Sequence, residues 1–193
     1  MLWGLRETTG TLHNISGDLQ LWQERIGKLC AGNSLLVLAT SYALTGPLLR
    51  PCDMEGGGLH IYGASSTGKT TLALVAGSVC GGGGNRGYLR QWRSTHNALE
   101  HTAAMHNDNL LVLDEVGQAT AEVVSQVAYM LPNGQGRSRM RADASLRDPL
   151  TWRLNFLSTG ELTINDKIEE SGKQRAMAGQ AVRIIDLPID GGT

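Results

Sequence analysis

The stretch LHIYGASSTGKTTLALVAG, residues 59–77, decides the fold. Its apolar opening, LHIY, predicts a short strand, and its apolar end predicts a helix that begins at Lys69 and reaches Val79. Between them lies a loop that begins at Gly63 and ends at Gly68. Glycine lets the backbone curl so that successive N–H groups point at one anion, and the amino end of the next helix adds its positive dipole. The stretch therefore predicts a phosphate-binding loop.

This loop matches the Walker A pattern G-x-x-x-x-G-K-[ST] at every fixed position. In that pattern the lysine reaches the β- and γ-phosphates of ATP, and the hydroxyl that follows binds Mg²⁺. Lys69 is therefore a candidate catalytic residue and Thr70 a candidate metal ligand. A chance glycine turn is the alternative, and the strand and helix predicted around the loop argue against it. The residues expected to contact ATP are Gly63, Ser65, Ser66, Thr67, Gly68, Lys69, Thr70 and Thr71.

A second apolar run, NLLVLDEVG, supplies two acids. Asn109–Asp114 predicts a buried strand, and its spacing from the loop favours a neighbouring, non-sequential strand of the sheet. We expect Asp114 to hold Mg²⁺ through water and the adjacent Glu115 to polarise an attacking water. An acidic helix cap is the alternative interpretation. Because a small-molecule kinase must keep water away from the phosphate, a water-activating carboxylate favours hydrolysis over transfer.

A third candidate is Thr159, in the segment RLNFLSTGE. A strand is predicted over residues 152–158, so this hydroxyl lies where the strand ends. We expect Thr159 to act in catalysis by positioning the attacking water between the phosphate loop and Glu115. A hydroxyl that ends a strand by bonding to the next turn is the alternative.

The chain alternates strands with helices, which is typical of a mostly parallel sheet. Residues 18–50 predict helices, the first capped by Asp18 and the second by Asn33 or Ser34. Further helices are predicted over 97–106 and 119–130, and a final strand over 181–187. We divide the chain into an N-terminal helical segment, residues 1–55, and a phosphate-loop core, residues 56–193, and expect it to be part of a longer protein.

The bulk composition excludes several classes of protein. A length of 193 residues suits one α/β domain, and a net charge of −1 argues against a uniformly basic nucleic-acid binder. Three cysteines without a signal peptide indicate reduced thiols, and the five histidines lack the spacing of a zinc site. The apolar stretch 35–49 is too short and too polar to span a bilayer. We expect a cytoplasmic protein with no membrane contact.

Arginine is unevenly distributed. Five arginines fall between residues 137 and 153, a stretch that nets +3. Such a stretch can track a nucleic-acid backbone in a groove or ring, make subunit salt bridges from a hairpin, or be a solvated loop. Arg175 and Arg183 are candidates for a guanidinium that contacts the γ-phosphate of a neighbouring subunit, or for ordinary surface salt bridges. We interpret Trp92 as packing a helix against the sheet rather than stacking on a base.

Several stretches together resemble the bacterial and phage domain of unknown function 927, from about residue 20 to the end. They are GGGLHIYGASSTGKTTLALVAGSVCG, QWRSTHNALEHTAAMHNDNLLVLDEVGQ, YMLPNGQGRSRM, WRLNFLSTGE and AGQAVRIIDLP. The resemblance implies a helicase-like P-loop ATPase. The positions that match its nucleotide motifs are Lys69, Thr70, Asp114 and Glu115, together with Thr159 and Arg183 as catalytic candidates.

We therefore expect an α/β fold, a three-layer P-loop NTPase sandwich of the RecA/AAA+ type with a mostly parallel sheet and an N-terminal helical segment. The leading hypothesis is an ATP-hydrolysing, Mg²⁺-dependent helicase or translocase that works on nucleic acid, expected to be single-stranded DNA. It would act as a homo-oligomeric ring in replication of a phage or mobile element. The alternatives are a nucleotide-driven switch that binds a protein partner, and an assembly module that uses ATP as structural glue.

Overall fold

The computed structural model of the protein describes residues 17–82, 87–140, 146–170 and 183–190. Five strands form a parallel sheet, and two short strands form a separate antiparallel hairpin. In chain order the strands are β1 (Gly58–Tyr62), β2 (Arg90–Gln91), β3 (Asn109–Asp114), β4 (Arg139–Met140), β5 (Leu146–Arg147), β6 (Leu154–Gly160) and β7 (Ile184–Pro188). The order across the sheet is β2-β3-β6-β1-β7, and β4 pairs with β5.

The helices that cover this sheet were largely predictable from the sequence. They are α1 (Leu19–Trp22), α2 (Lys28–Cys30), α3 (Ser34–Thr45), α4 (Lys69–Val79), α5 (His96–Met105), α6 (Ala121–Asn133) and α7 (Ile164–Glu169). A π-helical turn, Gln23–Gly27, joins α1 to α2, and 3-10 turns cover Gly46–Leu48 and Val116–Gln118. Among the described residues, no helix has both the length and the apolar character needed to cross a bilayer.

Two apolar clusters hold three layers together, one on each face of the sheet. Alternate residues of a strand point to opposite faces, so β3 contributes Val112 to one cluster and Leu113 to the other. The first cluster joins the sheet to α3 and α4, and the second joins it to α5, α6 and α7. The predicted three-layer α/β sandwich is confirmed. Trp92 is fully buried in the second cluster, which confirms that it packs rather than stacks on a base.

Helix boundaries follow the local signals. The side chain of Asp18 accepts a hydrogen bond from the backbone N–H of Leu21, and that of Asn33 accepts one from Leu36 N–H, so both predicted caps are confirmed. Helix α6 passes through Pro132 and ends before Gly134, whose φ is 68°. Glycine adopts this left-handed conformation without steric cost, which explains why the helix ends there.

The order of the strands corrects one expectation. The strand that ends in Asp114 does not neighbour the strand of the phosphate loop, because β6 lies between β3 and β1. Sequence spacing limits how many elements can lie between two strands in the chain, but it does not decide which position in the sheet a later strand occupies. Strand β1 is interior, with β6 and β7 on its two sides. Helix α3 packs directly on the phosphate-loop core through Ala39 and Ala43, and the division of the chain at residue 56 stays a prediction.

Candidate functional site

The phosphate loop connects β1 to α4 and has the backbone that its glycines predict. Gly63 has φ 153° and Gly68 has φ 94°, and a Cβ at Gly63 would lie 2.6 Å from Cγ2 of Ile189. Ser66 also has a positive φ, 64°, which non-glycine residues adopt only at a cost of about 1 kcal/mol or more. No side chain caps the amino end of α4. Its first N–H groups therefore face the loop, ready for an anion.

Lys69 places its ammonium group inside this loop. Its Nζ donates to the carbonyl oxygens of Gly63 at 2.8 Å and of Ala64 at 2.6 Å, and the residue is 7% exposed. An ammonium group has three donors, so one remains for a phosphate oxygen while the other two hold the loop. The hydroxyl of Thr67 donates to the same carbonyl of Ala64 at 2.8 Å, which closes the loop further.

Three polar side chains converge where β3 and β6 end. The hydroxyl of Thr159 donates to Oδ1 of Asp114 at 2.6 Å, and the hydroxyl of Thr70 lies 3.3 Å from the same oxygen. The backbone N–H of Glu115 donates to Thr159 Oγ1 at 3.1 Å. The Thr159 hydroxyl therefore bonds to the acid rather than to the next turn. Asp114 reaches Thr70 although β6 separates β3 from β1, because α4 crosses over β6 on this face.

Glu115 has a strained backbone and a side chain that caps a turn. Its φ is 60° and its ψ is 78°, and its Oε1 accepts a hydrogen bond from the backbone N–H of Gly117 at 3.2 Å. The helix-cap interpretation therefore describes the Glu115 side chain in this structure. It does not describe Asp114, whose carboxylate bonds to hydroxyl groups.

Arg183 does not join this cluster. Arg183 precedes β7, which runs parallel to β1. It therefore lies at the amino ends of these strands, whereas the phosphate loop follows the carboxyl end of β1. Its guanidinium donates to Oδ1 of Asn133 at 2.6 Å and lies 3.6 Å from the carboxylate of Glu55. Arg183 therefore cannot reach the phosphate loop of its own chain. Arg175 lies outside the described residues.

The arginine-rich stretch forms the hairpin of β4 and β5. Arg139 and Arg147 are directly opposite each other in its register. Arg153 follows the hairpin and pairs with Asp53 at 3.3 Å, and Arg137 is exposed. Arg141 lies outside the described residues.

The comparison with protein families decides where the chain belongs. The family described as "Domain of unknown function (DUF927)" matches residues 5–150, which is most of the chain. The chain belongs to the DUF927 family. The match begins earlier than the expected residue 20 and ends at 150, so the segments WRLNFLSTGE and AGQAVRIIDLP of this DUF927 chain lie beyond it.

A solved structure shares the fold of this DUF927 chain. A structure titled "SCCmec type IV Cch - active helicase" is 27% identical with a TM-score of 0.72, and the match covers 95% of this chain and 34% of that one. The chain thus spans about a third of the length of that helicase. NtrX from Brucella abortus in complex with ATP is 15% identical with a TM-score of 0.45, and the match covers 88% of this chain and 42% of NtrX. That likeness is too distant to carry an argument. No curated protein matches the sequence.

A cleft that the sequence did not reveal opens beside the phosphate loop of the DUF927 chain. Its volume is about 660 Å³, and its walls come from residues 32–36 before and within α3, residues 67–68 of the loop, residues 71–72 of α4, and residues 188–190 at the end of β7 and just after it. These segments are far apart in the chain, so no local motif announces the cleft. Its place at the mouth of the phosphate loop suits the sugar and base of a nucleotide.

Proposed function

We propose that the chain is an ATP-hydrolysing motor domain of the helicase or translocase type, acting on nucleic acid. The observation that carries the proposal is the convergence of Lys69, Thr70 and Asp114 on one loop, with Thr70 and Asp114 only 3.3 Å apart. Loop amides, an ammonium group, a hydroxyl and a carboxylate are the set that phosphoryl transfer from a nucleotide requires.

The chain offers separate places for the two parts of ATP. The β- and γ-phosphates would lie in the loop, against the N–H groups at the start of α4 and the free donor of Lys69. The sugar and base would lie in the adjacent cleft of about 660 Å³. Ile189 lines this cleft and also closes against Gly63, so the segment after β7 contacts both regions.

The same residues fit Mg²⁺. Hydroxyl and carboxylate oxygens are the ligands that this ion prefers, and the Thr70 and Asp114 oxygens lie together at the open side of the loop. Thr70 would bind the ion directly and Asp114 through water. When bound, Mg²⁺ supplies neutralisation of the charge on the β- and γ-phosphate oxygens.

Hydrolysis needs a water aligned with the γ-phosphate, and Glu115 and Thr159 are the proposed residues. Oε1 of Glu115 accepts from the backbone N–H of Gly117, and we assign Oε2 the task of accepting a proton from this water. Thr159 holds both the Asp114 carboxylate and the N–H of Glu115, so it fixes the acid pair relative to β6. We therefore assign Thr159 the task of aligning this pair, and the water with it.

Nucleic acid is the proposed partner, and single-stranded DNA the proposed form. The arginine-rich stretch, residues 137–153, nets +3, and Arg139 pairs with Arg147 in the register of β4 and β5. A concentration of positive charge of this kind suits the phosphate backbone of a nucleic acid. The related structure is titled an active helicase, which favours the same partner. From the family resemblance we propose a role in replication of a phage or mobile element.

A homo-oligomeric ring would bring Arg183 to a nucleotide. Because this side chain lies at the amino ends of the strands, away from the phosphate loop of its own chain, any contact with a γ-phosphate requires a second chain. We propose that Arg183 or Arg175 acts in this way. Mixing Arg183→Ala with Lys69→Ala subunits tests it: activity that reappears in the mixture of the two impaired variants supports a contribution in trans, and a mixture no more active than either variant contradicts it.

The decisive experiment is the rate of ATP hydrolysis with and without single-stranded DNA over a salt series. A motor should be stimulated by DNA, and its DNA affinity should fall steeply as salt rises. The cap that Glu115 makes favours one other candidate, a nucleotide-driven switch or assembly module that binds a protein partner and hydrolyses slowly. Such a protein should bind ATP but be indifferent to DNA at every salt concentration.

A further inference from the structure

A buried hydrogen-bond network lies directly behind the acid pair. Trp92 Nε1 donates to Ser158 Oγ at 2.9 Å, Ser158 Oγ lies 2.8 Å from His60 Nδ1, and His60 Nε2 lies 2.8 Å from the carbonyl oxygen of Leu162. The side chains of Trp92, Ser158 and His60 are all fully buried. None of them belongs to the nucleotide motifs, and no sequence spacing connects them.

The proton positions in this network follow from its chemistry. A carbonyl oxygen only accepts, so the bond to Leu162 requires a hydrogen on His60 Nε2. In a neutral ring Nδ1 is then the acceptor, so the hydroxyl of Ser158 donates to it while its oxygen accepts from Trp92. Burial lowers the pKa of His60 to about 4, which agrees with a neutral ring at neutral pH. Every donor has one acceptor, and the three bonds run in one direction.

Two consecutive residues of β6 connect the network to the acid pair. Ser158 and Thr159 are consecutive in β6, so their side chains point to opposite faces of the sheet. On one face Thr159 bonds to Asp114 of β3. On the other face Ser158 bonds to His60 of β1 and to Trp92, which directly follows β2. The carboxyl end of β6 is therefore anchored on both faces at once.

Strand β1 leads straight into the phosphate loop. His60 precedes Gly63 by three residues and pairs with Ser158 in the parallel register. The network thus connects the strand that carries the loop to the strand that carries Thr159, and through Thr159 to Asp114. Apolar side chains would fill the same space, but they would not set the relative position of the strands as directional bonds do.

We propose that Ser158, His60 and Trp92 are positioning residues that hold Thr159 and Asp114 at the correct distance from the phosphate loop for hydrolysis. This inference rests on the proposed ATPase function. Misplacement of reacting groups by a fraction of an ångström to 1 Å costs about 10- to 100-fold in rate. Loss of a bond in the network should therefore lower kcat much more than it weakens nucleotide binding, which depends on the loop itself.

The chain offers a matched control for Trp92. Trp152 is buried in the same apolar cluster, and its Nε1 donates to the carbonyl oxygen of Leu131 at 3.0 Å. Trp152 precedes β6, so it is far from the acid pair, which lies at the carboxyl end of that strand. Trp92→Phe and Trp152→Phe each remove one buried indole bond and keep an aromatic ring. We expect similar losses of stability in urea unfolding, because each leaves one buried acceptor without its donor.

The two variants should differ in hydrolysis. Trp92→Phe should lower kcat about tenfold or more with the nucleotide Kd within about threefold of the wild type, whereas Trp152→Phe should keep both values within about twofold. Equal kcat values in two folded variants would overturn the inference and leave the ATPase function intact. A wild-type chain that binds ATP without hydrolysing it would instead contradict the proposed function.

A second measurement does not depend on turnover. The ¹H–¹⁵N spectrum of the chain shows the indole N–H groups, and the two Phe variants assign those of Trp92 and Trp152. On addition of Mg²⁺ and a non-hydrolysable ATP analogue, the Trp92 signal should shift and the Trp152 signal should stay in place. An analogue that binds, as judged by shifts in the backbone amides of the phosphate loop, while the Trp92 signal does not move would also overturn the inference.

Discussion

Acidification is expected to destabilise this fold through His60. The ring is fully buried, and burial lowers its pKa from 6.5 to about 4. In the unfolded chain the ring takes up a proton near its ordinary pKa of about 6.5. The folded-state pKa is therefore the lower one, so the stabilising contribution is complete above pH 6.5 and is lost progressively as the pH falls toward 4.

The size of the effect follows from the two pKa values. They differ by about 2.5, from 6.5 to about 4, and one pKa unit corresponds to about 1.4 kcal/mol. The complete loss is therefore about 3 kcal/mol, and between pH 7 and pH 5 linkage predicts a loss of about 2 kcal/mol. Domains are stable by only about 5–15 kcal/mol, so a loss of this size should be easy to measure.

Urea unfolding at pH 7 and pH 5, followed by circular dichroism, measures this loss. His60→Gln removes the titrating ring, and the other titratable groups, which are common to both proteins, cancel in the comparison. The variant should lose about 2 kcal/mol less than the wild type between the two pH values. The control is His101→Gln, which makes the same substitution at an exposed position of α5, away from the buried network.

An equal loss in the wild type and His60→Gln would refute the reasoning, because the ring would then titrate alike in the folded and unfolded states. If His60→Gln does not fold, the ring signals of the wild type give the same answer by NMR. Those of His60 should stay constant between pH 7.5 and pH 5.

Three substitutions test the site itself. Lys69→Ala should reduce ATP hydrolysis at least about 100-fold, because the ammonium group that faces the phosphates is lost, and isothermal calorimetry should show weaker binding. Glu115→Gln should keep ATP binding and stability, because a glutamine oxygen can still accept from the N–H of Gly117. In a phosphate-release assay its kcat should be lower by about 100-fold or more, and unchanged turnover would remove Glu115 as the base. Thr159→Val keeps the shape of the side chain but removes its bonds to Asp114 and to the N–H of Glu115. The kcat should fall about tenfold, and urea unfolding should show a loss of about 1–3 kcal/mol in the free energy of unfolding. An unchanged kcat would contradict the assignment.

The local elements were predictable because their signals are local. Helix α4 and strand β3 have the bounds that the sequence predicts, and the caps at Asp18 and Asn33 are those expected. Propensity, capping and apolar periodicity act over a few residues, so a single sequence contains them. The short strand β2 was not predicted, and a hairpin was only one of three interpretations of the arginine-rich stretch, since strands of two residues carry almost no periodic signal.

The candidate site was predictable in its residues but not in its contacts. The motif assigns Lys69, Thr70 and Asp114 to one site, yet only the structure shows that Thr159 bonds to Asp114 and that Glu115 caps a turn. The sequence suggested the attacking water or the next turn as the partner of the Thr159 hydroxyl, and the position of β6 beside β3 brings that hydroxyl to Asp114 instead.

By itself, the sequence determined that this chain has a glycine-bounded loop between a strand and a helix, an acid-ended strand and an α/β architecture, since each depends on neighbouring residues. Only the tertiary structure decided that β6 lies between β1 and β3 and that Arg183 lies at the amino ends of the strands, away from the phosphate loop. It alone also brought His60, Ser158 and Trp92 into contact. The physical reason is that strand order and side-chain contacts across the sheet depend on how the whole chain buries its apolar surface. That free energy is shared among residues far apart in sequence, and no short stretch contains it.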